Sequence, residues 1–218
     1  MSESTGAMRV DIVSDVVCPW CVIGYYQLEK AAKRAGTSLH VVWHPFELNP
    51  NMVEEGENLR EHLAAKYGTS RDDSKMIRER LAQLGQELGF AFNFTDEQRM
   101  WNTFRAHQLI SWAEEQGKGH ETKLALFEAY FSNGENISNK DTLGDIAQNI
   151  GLNRAAALAM LEGGENAEEV REKANHWTSQ GISGVPAMIF DHQHLVTGAQ
   201  GEDNYQKILE HLKRHRVA

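Results

Sequence analysis

The sequence predicts an α/β fold in which a βαβ unit and a ββα unit share one central mixed sheet, with a large all-helical insertion between them. Three observations predict it. Short apolar, β-branched runs stand near the two ends, over residues 9–13, 39–43, 187–190 and 195–197. From about residue 58 to 179 the apolar spacing changes from 2 to 3.6 and stays there. The first two runs flank a helical pattern over residues 20–35, a spacing that makes the strands parallel with a right-handed crossover. The chain therefore divides into residues 8–50, an N-terminal part; 58–179, the helical insertion; and 181–215, a C-terminal part. Residues 1–7 are small and polar and read as a disordered tail.

In chain order, Ile23, Gln27, Lys30 and Arg34 mark successive turns of the first helix, and Gly36 caps it. Pro45 and Pro50 end regular structure after the second strand. Residues 59–67 form a short helix. Ile77, Leu81, Leu84 and Leu88 stripe the next one, closed by Gly89. Residues 90–94 alternate Phe-Ala-Phe-Asn-Phe like a brief strand or an extended rim. Thr95 with Gln98 fits a capping box for a helix running to about Gln116. Leu124, Phe127 and Phe131 line a further helix, and Leu143, Ile146, Ala147 and Ile150 another. Helices over 153–161 and 165–179 complete the set, whose stripes are core. Residues 181–186 are a turn-rich approach to two strands joined at Asp191-His192-Gln193, and residues 202–215 form a closing helix.

Composition excludes several functions. Hydrophobic content of 41 % and charged content of 24 % are those of an ordinary globular protein. A net charge of −9 offers no basic patch for nucleic acid. No apolar run approaches the ~20 residues needed to span a bilayer. No basic-then-apolar leader opens the chain, so a cytoplasmic location is expected. A two-cysteine pair there is more often catalytic or redox-sensing than structural.

Ser14-Asp15-Val16-Val17-Cys18-Pro19-Trp20-Cys21 holds the only two cysteines of the 218 residues, at a strand-to-helix junction. The free N–H groups and the positive dipole end of the helix favour a thiolate at Cys18. Pro19 suits a first helical turn. On this reading Cys18 is the more exposed thiol with a lowered pKa, and Cys21 lies one turn inside. Two cysteines could also supply half a zinc site, but no second Cys pair or finger-like His pair follows. A static disulfide remains open, although so short a loop removes little chain entropy. Trp20, between the thiols, reads as a surface contact for substrate. Trp101, Trp112 and Trp177 read as structural.

These residues resemble the thioredoxin superfamily, specifically the DsbA-like proteins of the cytoplasmic FrnE-like group. The resemblance rests on the Cys-Pro-Trp-Cys stretch, on Pro45-Phe46-Glu47-Leu48-Asn49-Pro50, and on Asn102-Thr103 with Ala106-His107. It continues through residues 126–131, Gly184-Val185-Pro186 and Thr197-Gly198-Ala199-Gln200, so it runs from about Met8 to Leu212. It implies a thioredoxin fold and a dithiol–disulfide oxidoreductase or isomerase. Cys18 would be the nucleophile, Cys21 the resolving thiol and Pro186 a cis-proline beside them, with Pro19, Trp20 and Val185 as support. It implies no bound cofactor or metal; the partners are protein or small-molecule disulfides and dithiols, with glutathione a candidate co-substrate. His44, Phe46, Asn49, Asn102 and His107 are candidates for a substrate cleft. Against them, His44 also reads as a strand-end polar residue, Asn102 as a helix-end turn, and His107 as a buried, satisfied histidine on the face of Thr103, Phe104 and Ile110.

The pattern departs from the family at one position. Thioredoxin and DsbA carry a buried acid six residues before the first cysteine, where this chain has Ile12, with Asp11 and Asp15 nearby. The chain also resembles kappa-class glutathione transferases and 2-hydroxychromene-2-carboxylate isomerases, through the insertion and the Asn-Thr…Ala-His segment. That makes glutathione-dependent chemistry on a small aromatic substrate the rival function. Such a site has no use for Cys21. A non-catalytic binding module is a third reading, and it would leave an intact Cys-x-x-Cys unprotected from oxidation.

Overall fold

The computed structural model describes residues 6–216, so the first five residues of the expected tail lie outside the described residues. Four strands form the central sheet: β1 (Met8–Ser14), β2 (Leu39–Pro45), β5 (Ala187–Phe190) and β6 (His194–Thr197), in the order β2-β1-β5-β6. β1 runs parallel to β2 and antiparallel to β5. The two ends of the chain thus share one sheet. β1 is buried from Val10 to Ser14, as a strand covered on both faces must be.

Alternation along β1 sorts the core. Val10 and Ile12 join the main cluster with helix α1 (Pro19–Arg34) and with Trp43. Val13 joins a smaller cluster with Phe46, Ile182 and Ala187, against which Trp177 packs. Helix α9 (Glu202–Arg216) packs against α1. Gly24 lets the 185–188 segment approach α1, since a Cβ there would lie 3.2 Å from both Pro186 Cγ and Met188 Cε.

Between β2 and β5 the chain passes through α2 (Leu59–Tyr67), α3 (Arg71–Leu88), α4 (Phe104–Glu114), α5 (Gly119–Phe127), α6 (Lys140–Asn149), α7 (Arg154–Gly163) and α8 (Ala167–Ser179). A π-helical turn, Glu128–Ser132, continues α5. Of the two alternatives for residues 90–94 the strand is not formed; Phe90, Phe92 and Phe94 pack with Phe131 in an aromatic cluster, ring centroids 4.9 to 6.5 Å apart. One expectation is corrected here. The helix expected from Thr95 starts only at Phe104. Before it, β4 (Arg99–Met100) pairs with β3 (Glu57–Asn58), and Asn102 Oδ1 accepts the Phe104 N–H.

Two effects of opposite sign meet at Gly24. Replacing a helical glycine gains about 1 kcal/mol of helix propensity, less for a β-branched residue. Overpacking against a proline ring and a buried methionine costs about 1–3 kcal/mol. Gly24→Val is therefore expected to be net destabilised, with a lower urea midpoint at unchanged slope. An unchanged midpoint would show that the α1–Pro186 contact is loose.

Candidate active site

Cys18 is the N-cap residue of α1, with extended backbone angles, and Pro19 opens the first turn. Both cysteines are free thiols and both are buried, Cys18 4 % exposed and Cys21 fully enclosed. Cys18 is the more exposed of the two, as expected, by a small margin. Cys18 Sγ lies 3.7 Å from the carbonyl of Val185, whose peptide bond to Pro186 is cis. Trp20, next but one to Cys18 in sequence, is 44 % exposed, and Ser183-Gly184, before Val185, are exposed too.

Beneath the thiols sits Asp15, wholly buried. Its Oδ1 accepts the Val16 N–H at 2.7 Å, and its Oδ2 accepts the Leu48 N–H at 2.8 Å. His107 Nε2 lies 3.2 Å from Asp15 Oδ1 and 3.1 Å from the Phe46 carbonyl. Both neighbours are acceptors, so Nε2 carries the hydrogen. Burial pushes the Asp15 pKa up, but His107, the Leu48 N–H and Lys123 outweigh it, and the carboxyl is held below its ordinary range. Burial keeps His107 below its ordinary value and neutral.

The second charge is Lys123, 1 % exposed. It occupies the buried face of α5 with Gly119, Thr122, Leu126 and Phe127. Among the described residues its Nζ makes no hydrogen bond. It rests over the rings of Phe127 and Trp43, 4.8 and 5.3 Å from their centroids. Trp43 is fixed in turn, its Nε1–H donating to His120 Nδ1 at 3.0 Å, while His120 Nε2 meets the Tyr25 hydroxyl at 3.1 Å. Burial pushes the ammonium down to about 8, against the pull of Cys21, Asp15 and Cys18.

These charges settle how the thiols ionise. Cys18 is pushed well above its ordinary value by its bond to Cys21, by burial, and by the charges of Cys21 and Asp15. Cys21 is desolvated too, but the Cys18 S–H, Lys123 and Ser14 more than compensate and lower it. One thiol proton cannot serve both the Val185 carbonyl and the Cys21 sulfur. The Cys21 sulfur, held below its ordinary value while Cys18 is held above, is the better acceptor of the two. The expected lowered pKa at Cys18 is thus corrected.

The five candidate cleft residues are not all brought to one cleft: His44 and His107 border a small shared cavity, and the others lie elsewhere. His44 bonds Asp11 Oδ1 at 2.8 Å and packs on Trp177, on the face of the smaller cluster. Phe46 is buried in that cluster. Asn49 is held by His62 and Lys66. Asn102 caps α4 and donates to the Met52 carbonyl. It lines a cavity of about 310 Å³ with Glu47, Arg105 and Arg171, which neither cysteine reaches. His107 is buried and satisfied.

A model of the DSBA-like thioredoxin domain matches residues 9–210. The chain belongs to this family. Its relatives include the uncharacterised YwbO of Bacillus subtilis (strain 168), 28 % identical over 205 residues, 93 % of this chain and 96 % of that one. A probable DsbA oxidoreductase from Streptomyces coelicolor superposes with a TM-score of 0.85 at 29 % identity, covering 93 % of this chain and 88 % of that one. A 2-hydroxychromene-2-carboxylate isomerase shares the fold, with a TM-score of 0.71 at 19 % identity over 96 % and 98 % of the two chains.

Sequence reasoning singled out the cysteines and the 185–186 segment but passed over Lys123 and Glu47. A signal for Lys123 was present, since it stands on an apolar face between Gly119 and Phe127. Glu47 is partly buried near the Asp15 charge, and burial first, Asp15 second, push it up to about 7 from 4.5. Between these values the folded protein keeps a proton that the unfolded chain has lost. Stability therefore falls as pH rises from about 4.5 to about 7. Glu47→Gln should abolish that fall. Its partial exposure discounts the effect to a gain on the order of 1 kcal/mol over the parent at pH 8. Denaturant titrations across this range check it, and parallel stability–pH curves would refute it.

Proposed function

We propose that the protein is a dithiol–disulfide oxidoreductase of the cytoplasmic FrnE-like kind, acting through Cys18-Pro19-Trp20-Cys21 on disulfides and dithiols of other proteins. One observation carries this reading. Two free thiols stand one helical turn apart at the start of α1, and the outer one meets the Val185 carbonyl, 167 residues along the chain. Family membership supports it.

In the first step the Cys18 thiolate attacks a substrate disulfide, forming a mixed disulfide with one substrate sulfur and releasing the other as a thiolate. In the second, Cys21 gives the pair's one thiol proton to the released substrate thiolate and attacks Cys18 Sγ. The Cys18–Cys21 disulfide forms, the mixed disulfide breaks, and the second substrate sulfur leaves. The substrate takes up two electrons and two protons, one from the cysteine pair and one from outside it. Run backwards, the same steps oxidise a dithiol, and the reduction potential sets the net direction. The slightly greater exposure of Cys18 and its approach to Val185 support these roles. Trp20 and the exposed 183–184 segment offer contacts for a substrate chain, and glutathione is a candidate for regenerating the dithiol.

Removing the resolving thiol tests the reading. Cys21→Ala is expected to accumulate protein-sized mixed disulfides that dissolve in dithiothreitol, with disulfide-reductase turnover falling to background. Cys18→Ala should trap almost nothing, because the Cys21 sulfur is enclosed. If Cys21→Ala instead keeps glutathione-dependent turnover of a small aromatic substrate and traps no protein, the isomerase-like chemistry replaces this reading.

A further inference from the structure

Lys123 is a fully buried base for which the exchange steps above provide no part. Groups face it from every side. It rests on Trp43 and Phe127, which belong to the same core cluster as Cys18 and Cys21, and the charges of Cys21, Asp15 and Cys18 act on it. Lys123 also lines a cavity of about 80 Å³ together with His44 of β2, His107 and Glu114 of α4, and Lys173 of α8. Such a cavity is roomy and polar enough for water. Lys123 thus shares the thiols' core cluster and also borders a polar pocket.

Of these neighbours, the thiols are the ones whose charge follows the redox state. Asp15 is held ionised by two N–H groups and His107, and His107 spends its Nε2–H on two acceptors. A thiolate in the Cys18–Cys21 pair appears on reduction and vanishes on oxidation. A buried cation on which that pair's charge acts must respond.

Building on the oxidoreductase reading, we propose that Lys123 takes up a proton when the Cys18–Cys21 disulfide is reduced and returns it on oxidation. A buried ammonium, in place of a buried acid, then balances the thiolate. The balance is complete. The disulfide, a neutral Lys123 amine and two substrate thiols give the Cys18 thiol, the Cys21 thiolate, the Lys123 ammonium and a substrate disulfide. Two electrons pass to the cysteines. Of the two thiol protons, one goes to Cys18 and one to Lys123. By reciprocity, a protonated Lys123 makes the disulfide easier to reduce.

The titration of Lys123 can be read directly by carbon-13 NMR of the lysine Cε in the whole protein. The resonance is identified as the one missing from Lys123→Met or, if that variant does not fold, from Lys123→Arg. We expect its proton affinity to rise about tenfold or more from the oxidised to the reduced protein. In parallel, the equilibrium with glutathione at pH 7 should shift about tenfold toward the disulfide in Lys123→Met, because the thiolate loses its counter-charge. Titration at the same pH in both redox states, or an unmoved glutathione equilibrium, overturns the proposal while leaving the exchange reading intact. Failure to form a Cys18–Cys21 disulfide at any glutathione ratio overturns both.

Discussion

A carboxylate taken wholly out of water at Asp15 is the constraint on which the rest of the site depends. An ionised group in a protein interior must be surrounded by donors and opposite charge, or it loses its charge. Asp15 finds them on four separate pieces of chain: Val16 in its own turn, Leu48 after β2, His107 on α4 and Lys123 on α5. Each partner fixes the position of the element that carries it. The β1–α1 turn is tied to the Pro45–Pro50 connection and to two helices of the stretch between β2 and β5. Cys18 and Cys21 are placed by the same tie, because α1 starts three residues beyond Val16.

The bond to Cys21 and burial explain why the helix dipole does not decide the chemistry of Cys18, with the buried carboxylate adding to them. A charge at a helix N-terminus gains about 0.3–1 kcal/mol when exposed and up to about 2 kcal/mol when partly buried. Full burial of an ionisable group can move its pKa by 3–5 units, on the order of 4–7 kcal/mol. Adding a fixed negative charge at Asp15 pushes the same way as burial. The bond to Cys21, with desolvation behind it, wins at Cys18, and the favourable contributions that remain, the neighbouring S–H and Lys123, act at Cys21. The inner thiol thus stores the charge while the outer one, beside Val185, meets the partner.

What the sequence made legible follows from how local the governing physics is. Strands β1, β2, β5 and β6, and helices such as α3 with its Leu81–Leu88 stripe and Gly89 cap, are set by periodicity and end signals within a dozen residues. They were read within a few residues of their bounds. The start of α4 was misplaced because a long-range pairing overrode a local cap: Arg99–Met100 binds Glu57–Asn58, some forty residues earlier. The Cys18 environment was misjudged for a similar reason. Thiol burial depends on the 183–186 segment and on Trp20, and residues 14–21 alone carry no sign of it. The approach of Val185 to Cys18 was legible only through family resemblance. Lys123 stood in plain view on an apolar face, where a charged residue marks either an error in the assigned face or a use for the charge.

The energetics favour the second alternative. A buried ammonium without hydrogen bonds costs more than a methionine of similar length would, and replacing buried ions by apolar residues is often neutral or stabilising. The Phe127 and Trp43 faces return part of that cost through cation–π contact, on the order of 2 kcal/mol or more when desolvated. Asp15 returns more, but Asp15 already has three hydrogen bonds, and its burial is satisfied without a lysine. Ile12, fully buried in the apolar core, shows that the chain can fill such positions with hydrocarbon where no charge is required. Lys123 is therefore poorly explained as a contribution to stability. Its position beside a sulfur that alternates between thiolate and disulfide gives its charge a purpose in the redox cycle.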